Sequence, residues 1–552
     1  MQTDSNAPSV YAAFSQSCTL YPNHPFLHVV DSVAQRYDID SGDITYAEAQ
    51  AIVEALIEHY CAAGYGASHR VGLMLDNRPA FIFHWFALNA LSASVVPINS
   101  ELGADEQAYL LDAAETCLLI YADEHAMQAK SAIRKMSRPI AMIDVGANAS
   151  AVIPHAPKND STLLPIAADS ECAILFTSGS TGQPKGCLLS NEYFLEMGRW
   201  YRRIGGLCSL SLGSERLITP LPLTHMNAMG TSLMAMVMTG GCIVQLDRFH
   251  PKSWWQSVYE SRATVMHYLG VMPAMLLQLE PTNVEEKLAI KFGFGAGVNP
   301  AHHAAFEARF GFPLVEAWAM TETGTAACVI ANREPRHVGQ SCFGKPDPAM
   351  VEHRLVDEAG SDVERGDAGE LLVRAAGQNA RKAFFSGYHH NDAETDKAWR
   401  GGWWHTGDVV RELADGSLCF VDRRKNIIRR SGENIAALEV EAVLSRHPAI
   451  ASLAVTPVPD EIRGEEVMAC VVLNDVDAVN EHTALDMFQH CMASLAYFKT
   501  PGYIAFVSAL PLTATQKPKR NEIKELAKSF LDGPVEAVVL FDLRDQKRKK
   551  IT

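Results

Sequence analysis

The chain has 552 residues, 48% hydrophobic and 20% charged, an ordinary soluble globular composition too long for one simple core. A formal net charge of −16 argues against broad nucleic-acid binding. No apolar run is long enough to span a bilayer: the nearest, residues 81–96, contains His84, Asn89 and Ser92 and predicts a buried helix instead.

In chain order, the polar N-terminus lacks the basic-then-apolar pattern of a signal peptide. The twelve cysteines are scattered with no Cys-x-x-Cys pair and read as reduced core residues, so a cytoplasmic location is expected. Strand-like runs at 71–75, 94–98 and 117–121 alternate with helical patterns at 79–90 and 105–114. A second series follows at 216–219, 241–245, 251–262 and 265–268. This alternation predicts parallel sheets flanked by helices. Around 350–420 the texture changes to short strands and turns, with glycines at 360, 366, 369 and 416, and suggests a small β-rich subdomain. Beyond Asp422 a helix at 437–445 and a strand at 451–457 open a compact α/β segment. The expected fold class is therefore α/β: a large domain of αβα sheets plus the β-rich subdomain over 1–422, then a small mobile α+β domain over 423–552. The terminal run Lys547-Arg548-Lys549-Lys550 reads as a solvated end.

The most informative segment is Thr177-Ser178-Gly179-Ser180-Thr181-Gly182-Gln183-Pro184-Lys185-Gly186, which follows a buried-strand pattern at 173–176. Its glycines let backbone approach a ligand closely, and its hydroxyls, N–H groups and lysine are the donors a polyphosphate needs. It is not a Walker loop, because Pro184 and Gly186 flank the lysine where a helix would have to start.

Four further segments carry candidate chemistry: Ala317-Trp318-Ala319-Met320-Thr321-Glu322-Thr323, Gly402-Trp403-Trp404-His405-Thr406-Gly407-Asp408, Asp422-Arg423-Arg424-Lys425 running on to Gly432-Glu433-Asn434, and Pro511-Leu512-Thr513-Ala514-Thr515-Gln516-Lys517. Taken singly each has a plain structural reading. Thr321-Glu322 suits a helix start, Asp408 a turn, Arg423-Arg424-Lys425 a solvated charge run and Lys517 a surface charge. Taken together and in this order, they resemble the adenylate-forming enzymes: acyl-CoA synthetases, peptide-synthetase adenylation domains and firefly luciferase. The resemblance runs over nearly the whole chain, to about residue 527.

That resemblance implies a carboxylate attacking the α-phosphorus of ATP, with release of pyrophosphate, followed by transfer of the acyl group to a thiol, usually coenzyme A. Such chemistry asks a protein mainly for positioning and charge neutralisation. Lys185 and the hydroxyls of 177–181 would hold the β- and γ-phosphates, with Gly179 and Gly182 shaping the loop. Thr321 would donate to the α-phosphate and Glu322 would ligate Mg²⁺. Ala317 and Trp318 would lie against adenine, the indole standing where the family usually has tyrosine. Asp408 would accept from the ribose diol, with Arg423 adding a second contact. Lys517 would bridge the substrate carboxylate and the α-phosphate. The family's preceding glycine is Gln516 here, and Pro518 follows.

Lys425 falls at the hinge position, and Arg429, Gly432, Glu433 and Asn434 on the face expected to meet coenzyme A once the small domain has turned. The acyl pocket would be lined by His225, Asn227, Met229, Val271, Met272, Gly295, Ala296 and Gly297, with His225 at its entrance and the three small residues leaving room for the acyl group.

Stretches such as Leu75-Asp76-Asn77-Arg78-Pro79 and Pro251-Lys252-Ser253-Trp254-Trp255 resemble the crotonobetaine/carnitine–CoA ligase branch. The acid itself stays open among carnitine-like, aromatic and aliphatic types. A ligase loading an acyl carrier protein, an oxygenating luciferase and a non-catalytic nucleotide-binding relative are the alternatives. A homodimer is a common outcome for enzymes of this kind.

Overall fold

The computed structural model describes residues 7–145, 153–158, 166–177, 184–423, 426–430, 433–460, 463–513, 517–533, 535 and 538–548. Two compact units emerge, Met1–His353 with Val373–His405, and Arg354–Leu372 with Thr406–Thr552.

The first unit holds two large sheets. In one, six parallel strands run in the order Leu314–Trp318, Phe292–Ala296, Val265–Leu269, Arg216–Thr219, Cys242–Gln245 and Pro25–Val29. Short antiparallel strands, Val329–Ile330 and Gly42–Thr45, close its edges. In the other, the parallel strands Glu171–Thr177, Ser94–Pro97, Arg70–Met74, Leu118–Tyr121 and Ala141–Asp144 are extended by antiparallel Lys185–Ser190 and Gly387–Tyr388. Most of these strands are buried along their length, as parallel strands covered on both faces must be.

The run 81–96, expected as one buried helix, is the helix Pro79–Ala90, buried at every position from Phe81 to Asn89, followed by the start of the buried strand Ser94–Pro97. A helix apolar on all sides belongs inside. Its polar members are satisfied there: Tyr60 Oη bonds His84 Nδ1 (2.7 Å), while Asn89 accepts from Tyr11 N and donates to Asn191 Oδ1 (2.8 Å). Burial holds the His84 imidazole down at about 4, so it is neutral in the core. Among the described residues, no helix is long and apolar enough to cross a membrane.

The second unit contains the antiparallel pairing of residues 408–412 of the strand Trp404–Glu412 with Leu418–Arg423 and, further along the chain, a six-stranded sheet. The latter is built around Gly464–Leu473, which pairs with Ile450–Asp460 on one side and with Ile427–Arg430 and Tyr503–Phe506 on the other. Alternation along its central strand sorts the core. Val467, Ala469 and Val471 join Ile428, Val440 and Leu444 on one face. Met468 and Cys470 join Ile523, Ala527 and Phe530 of the helix Arg520–Asp532 on the other.

Lys547 corrects the expectation of a solvated end. It sits in the terminal helix Arg544–Arg548 with its side chain buried, donating to Glu466 Oε1 at 2.7 Å. Lys547, one member of that charge run, makes an internal ion contact with a partner 81 residues away, while Lys549 and Lys550 lie outside the described residues.

Candidate active site

In the first unit, the strand Glu171–Thr177 turns back antiparallel as Lys185–Ser190, with Thr177 opposite Lys185. Lys185 thus opens a strand and not a helix, as its Pro184 and Gly186 neighbours foretold. Ser178 to Gly182 lie outside the described residues. The Lys185 ammonium pairs with Glu394 (Nζ to Oε2, 2.7 Å) and lies 5.0 Å from the centre of the Tyr388 ring. Tyr388 Oη donates to Glu322 Oε1 (2.8 Å). Three segments distant in sequence, around residues 185, 322 and 388–394, therefore meet around one lysine and one carboxylate.

Thr321 and Glu322 follow the buried strand Leu314–Trp318 and lie in a run of turns, so the helix-start reading of this pair does not hold. Tyr193 Oη holds the Thr321 carbonyl (2.7 Å), and Phe385 N holds that of Glu322 (2.9 Å). Burial and the adjacent Glu322 carboxylate push the Tyr388 phenol far up, so it stays a protonated donor. Pairing with Lys185 holds the Glu394 carboxyl below its ordinary range. Ala317 and Trp318 end the strand, the indole buried 6.2 Å from the Phe343 ring. For Mg²⁺ the chemistry fits: Glu322 is a carboxylate with Oε1 occupied by a neutral phenol, and no described donor is placed on Oε2.

The proposed acyl lining divides into two kinds of position. His225 is exposed on a turn whose entry is fastened by Asn77, which accepts from Leu223 N (2.8 Å) and donates to the Leu221 and Leu246 carbonyls. Asn227 opens the π-helical segment Asn227–Ser232, where Met229 is buried. Its Oδ1 lies 3.0 Å from His267 Nδ1, and Tyr201 Oη lies 3.0 Å from His267 Nε2. Burial drives His267 down to about 3, so a neutral ring links these groups. With an acceptor at Nδ1 the ring proton belongs there, and Tyr201 donates to Nε2.

Val271 is exposed at the start of the helix Val271–Leu277 and Met272 is buried. Ala296 and Gly297 are open to solvent, but Gly295 is not a room-making position. A Cβ there would stand 2.3 Å from the Tyr268 carbonyl oxygen, so strand packing demands the glycine. Glu316, which the sequence did not single out, takes the Gly297 and Val298 N–H groups (2.9 and 3.0 Å) and the Tyr268 hydroxyl (3.1 Å). It thereby fixes the turn after Gly295, and burial raises its carboxyl.

In the second unit, Asp408 is buried and faces Arg423 across paired strands, with Arg423 Nε 2.6 Å from its Oδ1. Asp422 accepts from Arg423 N and Asn426 Nδ2 through one oxygen and from Leu438 N through the other. It brackets the expected hinge; Lys425 itself, like Gly432, lies outside the described residues. Glu433 and Asn434 stand opposite Arg430 and Arg429 in strand register.

Lys517 lies on a hairpin: Thr513 N donates to the Lys517 carbonyl (2.8 Å), Lys517 N to Thr513 Oγ1 (3.0 Å), and Lys519 N to the Pro511 carbonyl (2.9 Å). Arg520, three residues on, anchors this hairpin through Glu441 Oε2 (2.7 Å) and the Val455 carbonyl (3.0 Å). Lys517 is exposed at the surface, yet the atoms packed around its ammonium, and then the Arg423 guanidinium close by, lower it from the ordinary lysine range.

No local pattern advertised Tyr388, Glu394 or Glu316, and the stretch holding Asn77 gave no sign of its bonds; each acquires its place from a partner elsewhere in the chain.

Known proteins resemble this chain over most of its length. The profile of the AMP-binding enzyme family matches residues 14–389, and that of the AMP-binding enzyme C-terminal domain matches 439–517. The crotonobetaine/carnitine–CoA ligase of Escherichia coli (Crooks strain) is 29% identical over 494 residues, 87% of this chain and 93% of that protein. Its counterpart from Shigella dysenteriae serotype 1 is also 29% identical, over 499 residues and the same shares of the two chains. Among solved structures, the anthranilate CoA ligase AuaEII in complex with anthranoyl-AMP superposes with a TM-score of 0.80 at 21% identity, covering 97% of this chain and all of that one. ATP-bound MatB from Rhodopseudomonas palustris gives 0.77 at 22% identity, covering 94% and 99%. The chain belongs to the AMP-binding enzyme family and is an adenylate-forming acid–thiol ligase of the acyl-CoA synthetase type.

Proposed function

We propose that this enzyme activates a small organic acid as its acyl adenylate through the residues described above, and passes the acyl group to coenzyme A. The meeting of Lys185, Glu394, Tyr388 and Glu322 carries this reading. A cation and a carboxylate, each held by a neighbour, are what a magnesium–polyphosphate needs. Lys185 takes the β- and γ-phosphates in exchange for Glu394. Glu322 is the residue that would hold Mg²⁺, which when bound neutralises phosphate charge. Thr321 donates to the α-phosphate, Trp318 covers adenine, and Asp408 accepts from the ribose diol while Arg423 turns to a second nucleotide contact. Lys517 supplies a charge-assisted donor to the negative charge that gathers as the carboxylate attacks.

The acid enters past His225 and lies against Asn227, Val271, Met272, Ala296 and Gly297. Arg429, Gly432, Glu433 and Asn434 form the face that receives coenzyme A, with Lys425 as the hinge. We further propose a cytoplasmic location and a homodimer.

Pyrophosphate exchange across a panel of acids tests this. Carnitine and crotonobetaine come first, because relatives carry those names, followed by benzoates, hydroxycinnamates and C4–C10 aliphatic acids. Exchange that depends on one acid and on Mg²⁺, with coenzyme A thioester formed from the same acid, is the expected result. Absence of exchange with every acid would leave only a nucleotide-binding protein. Transfer to a carrier protein but not to coenzyme A would change the acceptor.

A further inference from the structure

The terminal segment 538–548 lies beyond residue 517, where the match to the family's C-terminal domain ends. It is not a loose appendage. The strand Val539–Asp542 pairs with Tyr503–Phe506, Leu543 N bonds the Gly502 carbonyl (2.8 Å), and Lys547 reaches the buried Glu466. Arg430 Nε meets the same carboxylate at 2.8 Å from both oxygens, and Val467 N adds a bond to Oε1 (3.0 Å). The carboxylate's place is kept open by Gly502, where a Cβ would stand 2.6 Å from Glu466 Cδ.

Two cations therefore share one anion in a water-excluded interior: Arg430 is 2% exposed, Glu466 0% and Lys547 1%. Burying charge is costly, and an arginine–glutamate pair is already matched without a second cation. Stability alone gives no reason for a lysine at 547; methionine would fill the space and leave the pair neutral. What the lysine adds is a third direction of pull on Oε1, so that the carboxylate and the guanidinium it holds have one orientation. Arg430 stands opposite both Glu433 and Gly464, which makes it the joint between the central strand and the strand pair bearing Glu433 and Asn434.

We propose that Lys547 is a positioning residue for the thioester-forming half-reaction, acting through Glu466 and Arg430 on the strand pair that presents Glu433 and Asn434. This rests on the reading of that strand pair as the coenzyme A face. It predicts a defect confined to one half-reaction, which a merely structural lysine would not give.

The test uses the full chain and the best acid from the panel. Lys547→Met should leave pyrophosphate exchange within about twofold, and slow thioester formation from supplied acyl adenylate by roughly ten- to a hundredfold, the size of effect that remote misplacement of a reacting group produces. Melting temperature should be unchanged, and Lys547→Arg should restore the rate. Should the methionine variant fail to fold, Lys547→Gln, which keeps a donor without the charge, is read the same way.

Equal losses in both half-reactions, with or without a lowered melting temperature, would overturn the proposal, as would an unchanged thioester rate. Gly432→Ala separates the two levels. If it slows thioester formation selectively while Lys547→Met does not, only the positioning role is lost. If Gly432→Ala has no effect, the coenzyme A face is misassigned and the inference falls with it.

Discussion

Lys185 and Lys517 are the two lysines proposed to act in adenylation, and their surroundings differ. Lys185 sits at the start of a sheet strand, paired with Glu394 and lying against the Tyr388 ring. Lys517 stands on a hairpin, and among the described residues no carboxylate is paired with it; its charged neighbour is Arg423, a like charge. The first lysine is a fixture with a resident anion, which on the proposed reading a phosphate would displace. The second is held at a higher electrostatic potential, so a negative transition state gains more from it than a resting group does. A binding residue gains from a rigid seat; a residue that stabilises charge only as it develops gains from lacking a ground-state partner.

The largest test of this contrast is Lys517→Ala. Adenylate formation should fall by roughly 10²–10³, as for a lost oxyanion donor, while thioester formation from supplied acyl adenylate survives. Loss in both steps would erase the distinction drawn here. Lys185→Met should act instead on ATP binding, raising KM for ATP by about ten- to a hundredfold, the value of a charge-assisted hydrogen bond of ~1.5–3 kcal/mol. A pure kcat effect would place Lys185 with Lys517.

Tyr388→Phe keeps the ring beside Lys185 but removes the donor to Glu322. The Mg²⁺ concentration giving half-maximal exchange should then shift about fivefold, as expected for one hydrogen bond of ~1 kcal/mol. No shift would detach Glu322 from the metal.

The smallest effect concerns pH. The acting form of Lys517 is the ammonium, present below its pKa and lost above it. Because crowding and then Arg423 lower that pKa, the alkaline limb of adenylation should begin below the ordinary lysine range. Arg423→Gln removes the like charge and should move the limb upward; a limb that stays in place would show that another group titrates.

Much of this molecule was legible before its structure. The alternation of apolar runs placed the parallel sheets, and the polar interruptions in 81–96 distinguished a core helix from a membrane span. Pro184 and Gly186 indicated that Lys185 does not open a helix, and it opens a strand. The site was less legible. Lys185 finds Glu394 across 209 residues, and Glu322 finds Tyr388 across 66. Gly295 looked like room for a substrate, yet its missing side chain belongs to Tyr268 of the neighbouring strand. Lys547 looked solvated because a run of four basic residues ordinarily is.

Sequence by itself determined the local grammar of this enzyme: which runs form strands, that Lys185 does not open a helix, and which lysines stand at motif positions. Periodicity and backbone preference act over a few residues, so they can be read from a few residues. Tertiary structure decided which charge meets which, that Glu394 guards Lys185, that Glu316 fixes the turn after Gly295, and that Glu466 draws Lys547 inside. Such pairings depend on strands brought side by side from distant parts of the chain, and the lowered imidazoles of His84 and His267 and the raised Glu316 carboxyl follow from that burial.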